Sequence, residues 1–249
     1  MAGLLPSPGT GSPDPFLVDS AAHVFVTDLD APVPDGEDGR HLSRVLRLRP
    51  GEPVTASDGA GRWRRCRWRG AGRVDLVTDG PVVVQPRPAP AVTVGFSLVK
   101  GDRPERVVRQ LTELGVDRVV PLATARSVVR WEGERGRQHL ARLRRVSREA
   151  AMQARLAWLP EVTDVGGVDQ VARESAPAAG AALARPGGPP PDLGRPTVLV
   201  GPEGGWDDRE LACGLPVVGL GPTVLRTETA AVVVGALLCA LRAGTVAKA

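Results

Sequence analysis

The carboxy-terminal part of this 249-residue chain alternates between strand and helix patterns. "AVTVGFSLV" (91–99) predicts a buried strand, "PERVVRQLTELG" (104–115) predicts a helix with Pro104 in its first turn and Gly115 as its stop, and "DRVVPL" (117–122) predicts a second strand. A strand, a helix and a strand at this spacing form a parallel pair. The pattern therefore limits this part of the chain to an α/β fold with a parallel sheet.

A proline-rich segment, "QPRPAP" (85–90), separates this region from a different pattern upstream. Segments of this composition are stiff linkers. From Phe16 to about Arg87 the chain consists of short β-type segments broken by glycine, proline and aspartate, which predicts a small β-barrel or sheet. We therefore expect a disordered leader at 1–15, a small β domain at 16–87 and an α/β domain at 88–249.

A glycine-rich loop, "GPEGG" (201–205), directly follows the apolar strand "TVLV" (197–200). Asp207 and Glu210 have the spacing of a capping box, which predicts a short helix after the loop. Ligands of open α/β sheets bind at such strand-to-helix turns. A nucleotide P-loop would need a lysine and a hydroxyl residue after the glycines, so nucleoside triphosphates are disfavoured. The alternative is a tight turn in which the glycines only supply positive φ.

A second glycine loop, "LGPTVLRTE" (220–228), leads into an apolar helix at the end of the chain. Arg226 and Glu228 lie at the start of that helix. An unpaired buried charge is costly, so this pair needs a partner or a function. The sequence alone leaves open whether the two form a structural salt bridge or belong to a functional site.

Charge is segregated in the amino-terminal region. Residues 1–39 contain seven acids and no lysine or arginine, whereas residues 40–73 contain ten arginines against Glu52 and Asp58. Within the basic part, "GRHLSRVLRLRPGE" (39–52) predicts a short helix with arginines on its polar side. The segregation indicates either a positive field for a polyanionic partner or a solvated surface that balances an acidic tail.

Cysteines and histidines give no sign of a disulfide or a metal site. The three cysteines are far apart in the sequence, and the three histidines have no ligand spacing beside them. The longest apolar stretch, 230–241, is shorter than the roughly 20 residues of a membrane span. The amino terminus has no signal-peptide pattern. We expect a cytoplasmic protein without metal or membrane association.

Three segments together closely resemble the SPOUT superfamily of S-adenosylmethionine methyltransferases, and within it the bacterial 16S ribosomal RNA uracil-N3 methyltransferases. They are "LVKGDRPERVVRQLTELGVDRVVPLATARSVV" (98–129), "LVGPEGGW" (199–206) and "LGPTVLRTETA" (220–230). In addition, "HLSRVLRLRPGEPVTASDG" (41–59) is similar to the PUA-like RNA-binding domain of that family. The resemblance implies a carboxy-terminal parallel α/β domain with a trefoil knot and a small amino-terminal PUA-like β-barrel.

The same resemblance implies the residues of an active site. S-adenosylmethionine would bind against the two glycine loops, at Leu199, Gly201, Gly204, Gly205, Leu220, Gly221, Leu225 and Thr227. Arg226 would stabilise negative charge on the uracil carbonyls. Glu203 or Glu228 would accept the N3 proton or hold Arg226 in place, and orientation is the favoured role for Glu203.

The basic segments would contact RNA, because arginine suits phosphate forks and base stacking. Trp63 or Trp68 could add a stacking platform, although in a strand their opposite parity assigns at least one of them to the core. The RNA-binding candidates are Arg40, Arg44, Arg47, Arg49, Arg64, Arg65, Arg67 and Lys100. Expected partners are 16S ribosomal RNA, within the small subunit, and a second copy of the chain, because residues 232–241 offer more apolar surface than one small sheet covers.

Two other functions remain open at this point. One is an RNA-binding relative that has lost catalysis, which the intact "LRTETA" (225–230) argues against. The other is a SPOUT enzyme that methylates a ribose 2′-hydroxyl. Such relatives carry an asparagine motif near the last helix, where this chain has threonine and glutamate, so base methylation is preferred.

Overall fold

The computed structural model describes residues 15–70, 75–175 and 180–246. They divide into two compact units: the described chain up to Pro86 together with Met152–Trp158, and Arg87–Ala151 together with the chain from Leu159 onward. Apart from Pro15, the leader expected at 1–15 lies outside the described residues, as does Arg73. Within these ranges no helix has the length and apolar character of a membrane span, and no group of three or more His, Cys, Asp or Glu side chains is placed to hold a metal ion.

The amino-terminal unit is built on a four-stranded sheet with the order β1-β2-β3-β4. Its strands are β1 (Ala22–Phe25), β2 (Pro53–Ser57), β3 (Arg62–Trp68) and β4 (Leu76–Val84). β1 and β2 run parallel, and the other two pairs are antiparallel. Helix α1 (Pro15–Asp19) precedes the sheet, and α2 (Gly36–Arg40) continues into a π-helical turn, His41–Val45. The small β domain expected from the short segments is confirmed.

One local prediction for this unit is wrong. The helix predicted over 39–52 ends at Val45, and Arg47 has a positive φ of 53°, so the following arginines lie in a loop. Farther along the chain, β4 runs without interruption through Gly80 and Pro81. The β3–β4 register shifts there, between Arg64 and Cys66. A bulge accommodates a proline that cannot donate to the ladder.

Both tryptophans of β3 are core residues. Trp63 is 1% exposed and packs with Leu17 and Ala157, whereas Trp68 is 2% exposed and belongs to a separate cluster with Val24. The two indoles lie in different clusters, as their parity predicts, but both clusters are covered. Neither indole is available to a base, and the prediction of a tryptophan stacking platform is wrong.

The carboxy-terminal unit contains a six-stranded sheet with the order β10-β8-β9-β5-β6-β7. Every pair in it is parallel. The strands are β5 (Thr93–Ser97), β6 (Arg118–Leu122), β7 (Glu161–Val162), β8 (Ala181–Ala184), β9 (Thr197–Val200) and β10 (Val217–Val218). The helices are α3 (Arg103–Glu113), α4 (Gly133–Gln153), α5 (Val168–Ser175), α6 (Asp208–Leu211) and α7 (Thr227–Ala243). The predicted parallel α/β domain is confirmed.

Helices α3 and α7 pack against each other, and α7 also packs against β5 and β9. The approach of the two helices depends on Gly235, where a Cβ atom would lie 2.6 Å from Leu111 Cδ2. Apolar residues of both helices, among them Val107 and Leu238, bury themselves in the same core. This packing fixes the first turn of α7 beside the carboxyl end of β9.

The loop between β8 and β9 crosses the chain just after β10. The Gly219 N–H donates to the Pro189 carbonyl at 2.7 Å, and a Cβ atom on Gly219 would lie 2.3 Å from the Gly188 oxygen. Only glycine permits an approach this close. The crossing fixes the start of the second glycine loop, while the trefoil knot implied by the resemblance stays a prediction.

Candidate active site

A cavity of about 340 Å³ opens at the carboxyl ends of β8 and β9 in the carboxy-terminal unit. Its walls include Ala184 and Val200 from those strands, both glycine loops, and Thr227 and Ala230 from the first turns of α7. This is the sheet edge at which the sequence predicts a ligand. The volume lies within the range of small-molecule sites.

The first glycine loop forms one wall of the cavity. Its turn is closed by a hydrogen bond from the Gly205 N–H to the Pro202 carbonyl at 2.8 Å, and Gly205 has a φ of +72°. Gly201 lies against the Trp206 indole, where a Cβ atom would come within 2.9 Å of Cε2. That indole donates from Nε1 to the Ala184 carbonyl at 3.0 Å. The loop is therefore a tight turn that also presents bare backbone to the cavity.

The short helix after this loop forms as predicted. The Asp207 side chain accepts from the Arg209 N–H, and Glu210 Oε2 accepts from the Asp207 N–H at 2.9 Å, which completes the capping box. Glu210 Oε1 also accepts from the Ala125 N–H at 2.8 Å. The helix start is thereby tied to the loop after β6.

The two glycine loops are connected by a hydrogen bond from Thr227 Oγ1 to the Gly201 carbonyl at 2.9 Å. Six of the predicted cofactor residues line the cavity: Gly201, Gly205, Leu220, Gly221, Leu225 and Thr227. They comprise main chain at the three glycines and apolar side chains at the two leucines. The structure thus brings together residues from both motifs that the sequence singled out.

Two predicted cofactor residues lie away from the cavity. The Leu199 side chain is fully buried in a core cluster that also contains Trp206. Gly204 does not line the cavity, and a Cβ atom there would make an ordinary 3.5 Å contact with Arg126 Cβ. Neighbouring residues of a strand or tight turn point in different directions, so any contact of Leu199 or Gly204 with the cofactor stays a prediction.

Arg226 is the N-cap residue of α7 and has an extended backbone, with φ −66° and ψ 155°. Its side chain is exposed, and it stands between Leu225 and Thr227, which both line the cavity. Its guanidinium has no ion-pair or hydrogen-bond partner among the described residues. The structural salt bridge between Arg226 and Glu228 or Glu203 is therefore not formed in the described part of the chain.

The carboxylates Glu203 and Glu228 instead face a cation that sequence reasoning missed. Arg103, at the start of α3, lies with Nη1 3.4 Å from Glu228 Oε1 and 3.8 Å from Glu203 Oε1. Of the two carboxylates, only Glu203 lines the cavity. Arg103 begins the helix that follows β5, at the ligand edge of the sheet, and this position is the signal that could have found it.

Two further arginines in the cavity wall were also missed. Arg126 Nη1 donates to the Gly204 carbonyl at 3.2 Å, and its Nε lies 3.7 Å from Asp207 Oδ2. Arg185 follows β8 directly. Both lie at the carboxyl ends of strands, so the rule that located the glycine loops applies to them as well.

The RNA-binding candidates of the amino-terminal unit fall into two groups. In β3, Arg64 donates to the carbonyls of Leu29 at 2.8 Å and Gly80 at 2.6 Å, with a side chain only 13% exposed. These contacts give Arg64 a structural role and disfavour the predicted RNA contact, which stays untested.

Its neighbours in β3 are exposed but engaged. The Arg65 guanidinium lies 4.3 Å above the Phe16 ring, and Arg67 pairs with Asp79 at 2.8 Å. By contrast, the exposed arginines around the π-helical turn have no side-chain partner among the described residues, and neither has Lys100 after β5. The four arginines are Arg40, Arg44, Arg47 and Arg49.

Among the described residues, three side chains have clearly shifted pKa values, and none of the three lies at the cavity. Burial raises the pKa of the Cys66 and Cys239 thiols from 9.0 to about 11. The hydrogen bond from Arg118 lowers the pKa of Glu174. The thiols are therefore unreactive core residues near neutral pH.

The cavity suits a folded cofactor with an apolar ring and a charged tail. Side chains larger than hydrogen are disfavoured at Gly205 and at Gly221, where φ is +130°, so backbone groups are accessible there. Leu220 and Leu225 can enclose a ring, and Arg126 and Arg185 can face a carboxylate. S-adenosylmethionine has these chemical features, and the residues fit it.

Comparison with known proteins identifies the family. Residues 86–239 match the model of the RNA methyltransferase domain, and residues 34–73 match that of the RNA methyltransferase PUA domain. The ribosomal RNA small subunit methyltransferase E of Mycobacterium bovis is 38% identical over 219 residues, which cover 81% of this chain and 83% of that protein. The protein of the same name from Synechocystis sp. is 31% identical over 220 residues, which cover 81% of this chain and 70% of that protein.

A solved structure agrees with this match. The ribosomal RNA small subunit methyltransferase E of Neisseria gonorrhoeae, bound to S-adenosyl methionine, has a TM-score of 0.73 at 26% identity and covers 88% of this chain and 97% of that one. A putative methyltransferase from Legionella pneumophila, solved with bound SAM, also has a TM-score of 0.73 at 26% identity. That match covers 88% of this chain and 96% of the Legionella chain. The chain thus belongs to the RNA methyltransferase family that includes ribosomal RNA small subunit methyltransferase E, as the motifs in its sequence predict.

Proposed function

We propose that this protein transfers a methyl group from S-adenosylmethionine to N3 of a uridine in 16S ribosomal RNA. The observation that carries the proposal is the placement of Arg226, an exposed cation with no partner among the described residues, between two residues of the cavity wall. The names of the relatives support the RNA substrate, and the relative bound to S-adenosyl methionine supports the cofactor.

The chemistry needs a proton acceptor and a cation. N3 of uracil carries a weakly acidic proton between two carbonyl groups, and its removal leaves an anion spread over both oxygens. Bound S-adenosylmethionine supplies a methyl group on a positively charged sulfur. Arg226 stabilises the anion in the RNA complex, where the bound substrate covers its exposed guanidinium, because a cation close to the developing charge acts most strongly where water is excluded. A carboxylate beside the cavity, Glu203 or Glu228, takes the proton.

Nucleotide mapping tests this function directly. Wild-type protein is incubated with small ribosomal subunits that lack the modification and with labelled S-adenosylmethionine. The RNA is then digested to oligonucleotides, which locate the methylated position, and in parallel to nucleosides, which identify the modified base. We expect N3-methyluridine at a single site. A 2′-O-methyl nucleoside would overturn base methylation in favour of the ribose enzyme, and cofactor binding without any methylated product would favour the non-catalytic relative.

The exposed arginines around the π-helical turn support RNA binding by the amino-terminal unit. These side chains have no ion-pair or hydrogen-bond partner among the described residues. They are therefore able to bind phosphates of RNA and release the counterions held there. Comparing free 16S RNA with assembled subunits in the same assay identifies the substrate. We propose the cytoplasm as the place where the protein meets its ribosomal RNA substrate.

We also propose a homodimer formed through the carboxy-terminal unit. On α7, Val232, Val233, Leu237 and Leu241 remain half-buried in the single chain, and Val224 in the preceding loop is 86% exposed. A second copy would cover this apolar surface. Sedimentation at micromolar concentration should show a dimer, and a fully active monomer would contradict it.

A further inference from the structure

Arg103 joins two carboxylates that come from distant parts of the chain. Glu228 lies on α7, and Glu203 lies in the loop after β9, yet both contact the same guanidinium nitrogen, at 3.4 and 3.8 Å. The two carboxylates differ in environment, because Glu228 has a side chain 23% exposed and Glu203 one that is 60% exposed. A shared cation therefore connects a sheltered carboxylate with an accessible one.

Glu228 is suited to anchoring rather than to proton transfer. Its Oε2 atom is buried and has no hydrogen-bond partner in the described structure, while its Oε1 atom faces Arg103. A sheltered carboxylate with few partners depends strongly on the cation that it has. This buried Oε2 atom is out of reach of solvent, so a uracil ring that enters from solution cannot contact it.

Glu203 has the opposite properties. It belongs to the cavity wall, and most of its side chain is accessible. A long exposed side chain samples many rotamers, so a fixed cation nearby restricts its position. Arg103 is such a cation, because Glu228 holds it from the other side.

We infer that Arg103 is a positioning residue, anchored by Glu228, that holds Glu203 as the proton acceptor for the substrate. The inference rests on the proposed function, and it reverses the sequence-based preference for Glu203 as a partner of Arg226. In the step itself the N3–H bond breaks and the proton moves to a Glu203 oxygen. The N3 electron pair forms the bond to the methyl carbon while the carbon–sulfur bond breaks towards sulfur. Glu203 later releases its proton to water.

Single-turnover methylation by four variants tests the assignment. Glu203→Gln should lose about a hundredfold or more in rate, the contribution of a general base. Arg103→Gln should lose about tenfold to a hundredfold, because misplacement of a reacting group by about 1 Å has an effect of that size. Arg103→Lys should recover most of that loss, since it keeps the charge. Asp208→Asn, an exposed carboxylate outside the cavity wall, is the matched control and should keep the wild-type rate.

A double variant separates anchoring from proton transfer. Glu228→Gln should lower the rate about as much as Arg103→Gln, and the two changes combined should lower it no further, because both act through Glu203. Thermal melts should show the same coupling between Arg103 and Glu228 without any RNA or cofactor present. Independent losses in both measurements would overturn the anchor.

The pH dependence gives a readout that a structural role would not move. The charged groups described near Glu203 are Arg103 from α3 and Glu228 from α7, which share one guanidinium contact with it, and Arg126 and Arg185 in the same cavity wall, with Arg226 in the loop that borders the cavity. With Glu203→Gln, hydroxide must remove the proton, so the rate should rise about tenfold per pH unit and the deficit should shrink. The same rise in Glu228→Gln but not in Glu203→Gln would make Glu228 the acceptor and overturn the inference.

Cofactor affinity, measured by calorimetry, should stay within about threefold of wild type in all these variants, because none of them removes the glycine-loop backbone. If wild-type protein makes no N3-methyluridine, the proposed function itself fails. If it does, and Glu203→Gln matches the Asp208→Asn control, only the role of Glu203 and Arg103 fails.

Discussion

Arg64 in the amino-terminal unit and Arg226 in the carboxy-terminal unit show how differently the same side chain is used. The Arg64 guanidinium is bound by two backbone carbonyls and is nearly buried. The Arg226 guanidinium is exposed beside a cavity and has no partner among the described residues. Both lie in segments that the sequence marks as candidate binding sites. The acceptors within reach, and not the residue type, decide whether an arginine stabilises the fold or acts on a ligand.

Loss of Arg226 should have the largest effect. Arg226→Ala should lower the single-turnover methylation rate by about two to three powers of ten, roughly 3 to 4 kcal/mol, as removal of a preorganised donor does. Because no described residue pairs with Arg226, the melting temperature and the cofactor affinity should change little. If the melting temperature and the rate fell together, the contrast with Arg64 would disappear.

The glycine loop provides the next largest effect. Gly205→Val should weaken cofactor binding by about thirtyfold or more, roughly 2 kcal/mol, because a β-branched residue is strained at φ +72° and would project beside the cavity. Calorimetry with S-adenosylmethionine measures the loss. Gly204→Ala is the control, since its Cβ atom would make only an ordinary contact with Arg126. Equal affinities in the two folded variants would leave the loop with a purely structural role.

Two substitutions in the amino-terminal unit test the contrast between a structural arginine and an exposed one. Arg64→Met should lower the free energy of unfolding by about 2 kcal/mol, because two carbonyls lose a charged donor. Arg44→Glu should leave unfolding nearly unchanged and weaken RNA binding severalfold, with a smaller salt dependence. Denaturant titration and filter binding at several salt concentrations separate the two effects. An Arg64→Met variant of wild-type stability would contradict the structural assignment.

The sequence predicts the parts of this molecule that depend on neighbouring residues. The strand–helix alternation, the capping box of Asp207 and Glu210, and the two glycine loops are all local patterns, and the structure confirms them. Arg103 was missed because its contact with Glu228 joins residues 125 positions apart. The sequence cannot assign Trp63 to the core, because the residues that cover its indole, Leu17 and Ala157, come from outside the strand. Periodicity determines the faces of an element, but tertiary packing decides what covers them.

The labelling rates of the two buried thiols should show the smallest effect, and they allow the two units to be compared directly. Cys66 lies in the core of the amino-terminal unit and Cys239 in that of the carboxy-terminal unit, so labelling of each thiol reports the opening of its own unit. At ten times its Kd, S-adenosylmethionine should slow labelling of Cys239 by about tenfold, because ligand binding disfavours the open form. Labelling of Cys66 should not change. Mass spectrometry of the labelled peptides distinguishes the two sites, and the half-buried Cys213 serves as the early-labelling reference.

The pH range of that experiment follows from the pKa values of the two thiols. Burial raises each from 9.0 to about 11, so the stability gained by keeping the thiols neutral is complete below pH 9.0 and is lost as the pH rises towards 11. Labelling near pH 8 therefore samples the native equilibrium, whereas above pH 9.0 both thiols should react faster as the unfolded state gains stability. Equal protection of Cys66 and Cys239 by the cofactor would mean that the two units open together, and the contrast between them would then lie in their arginines alone.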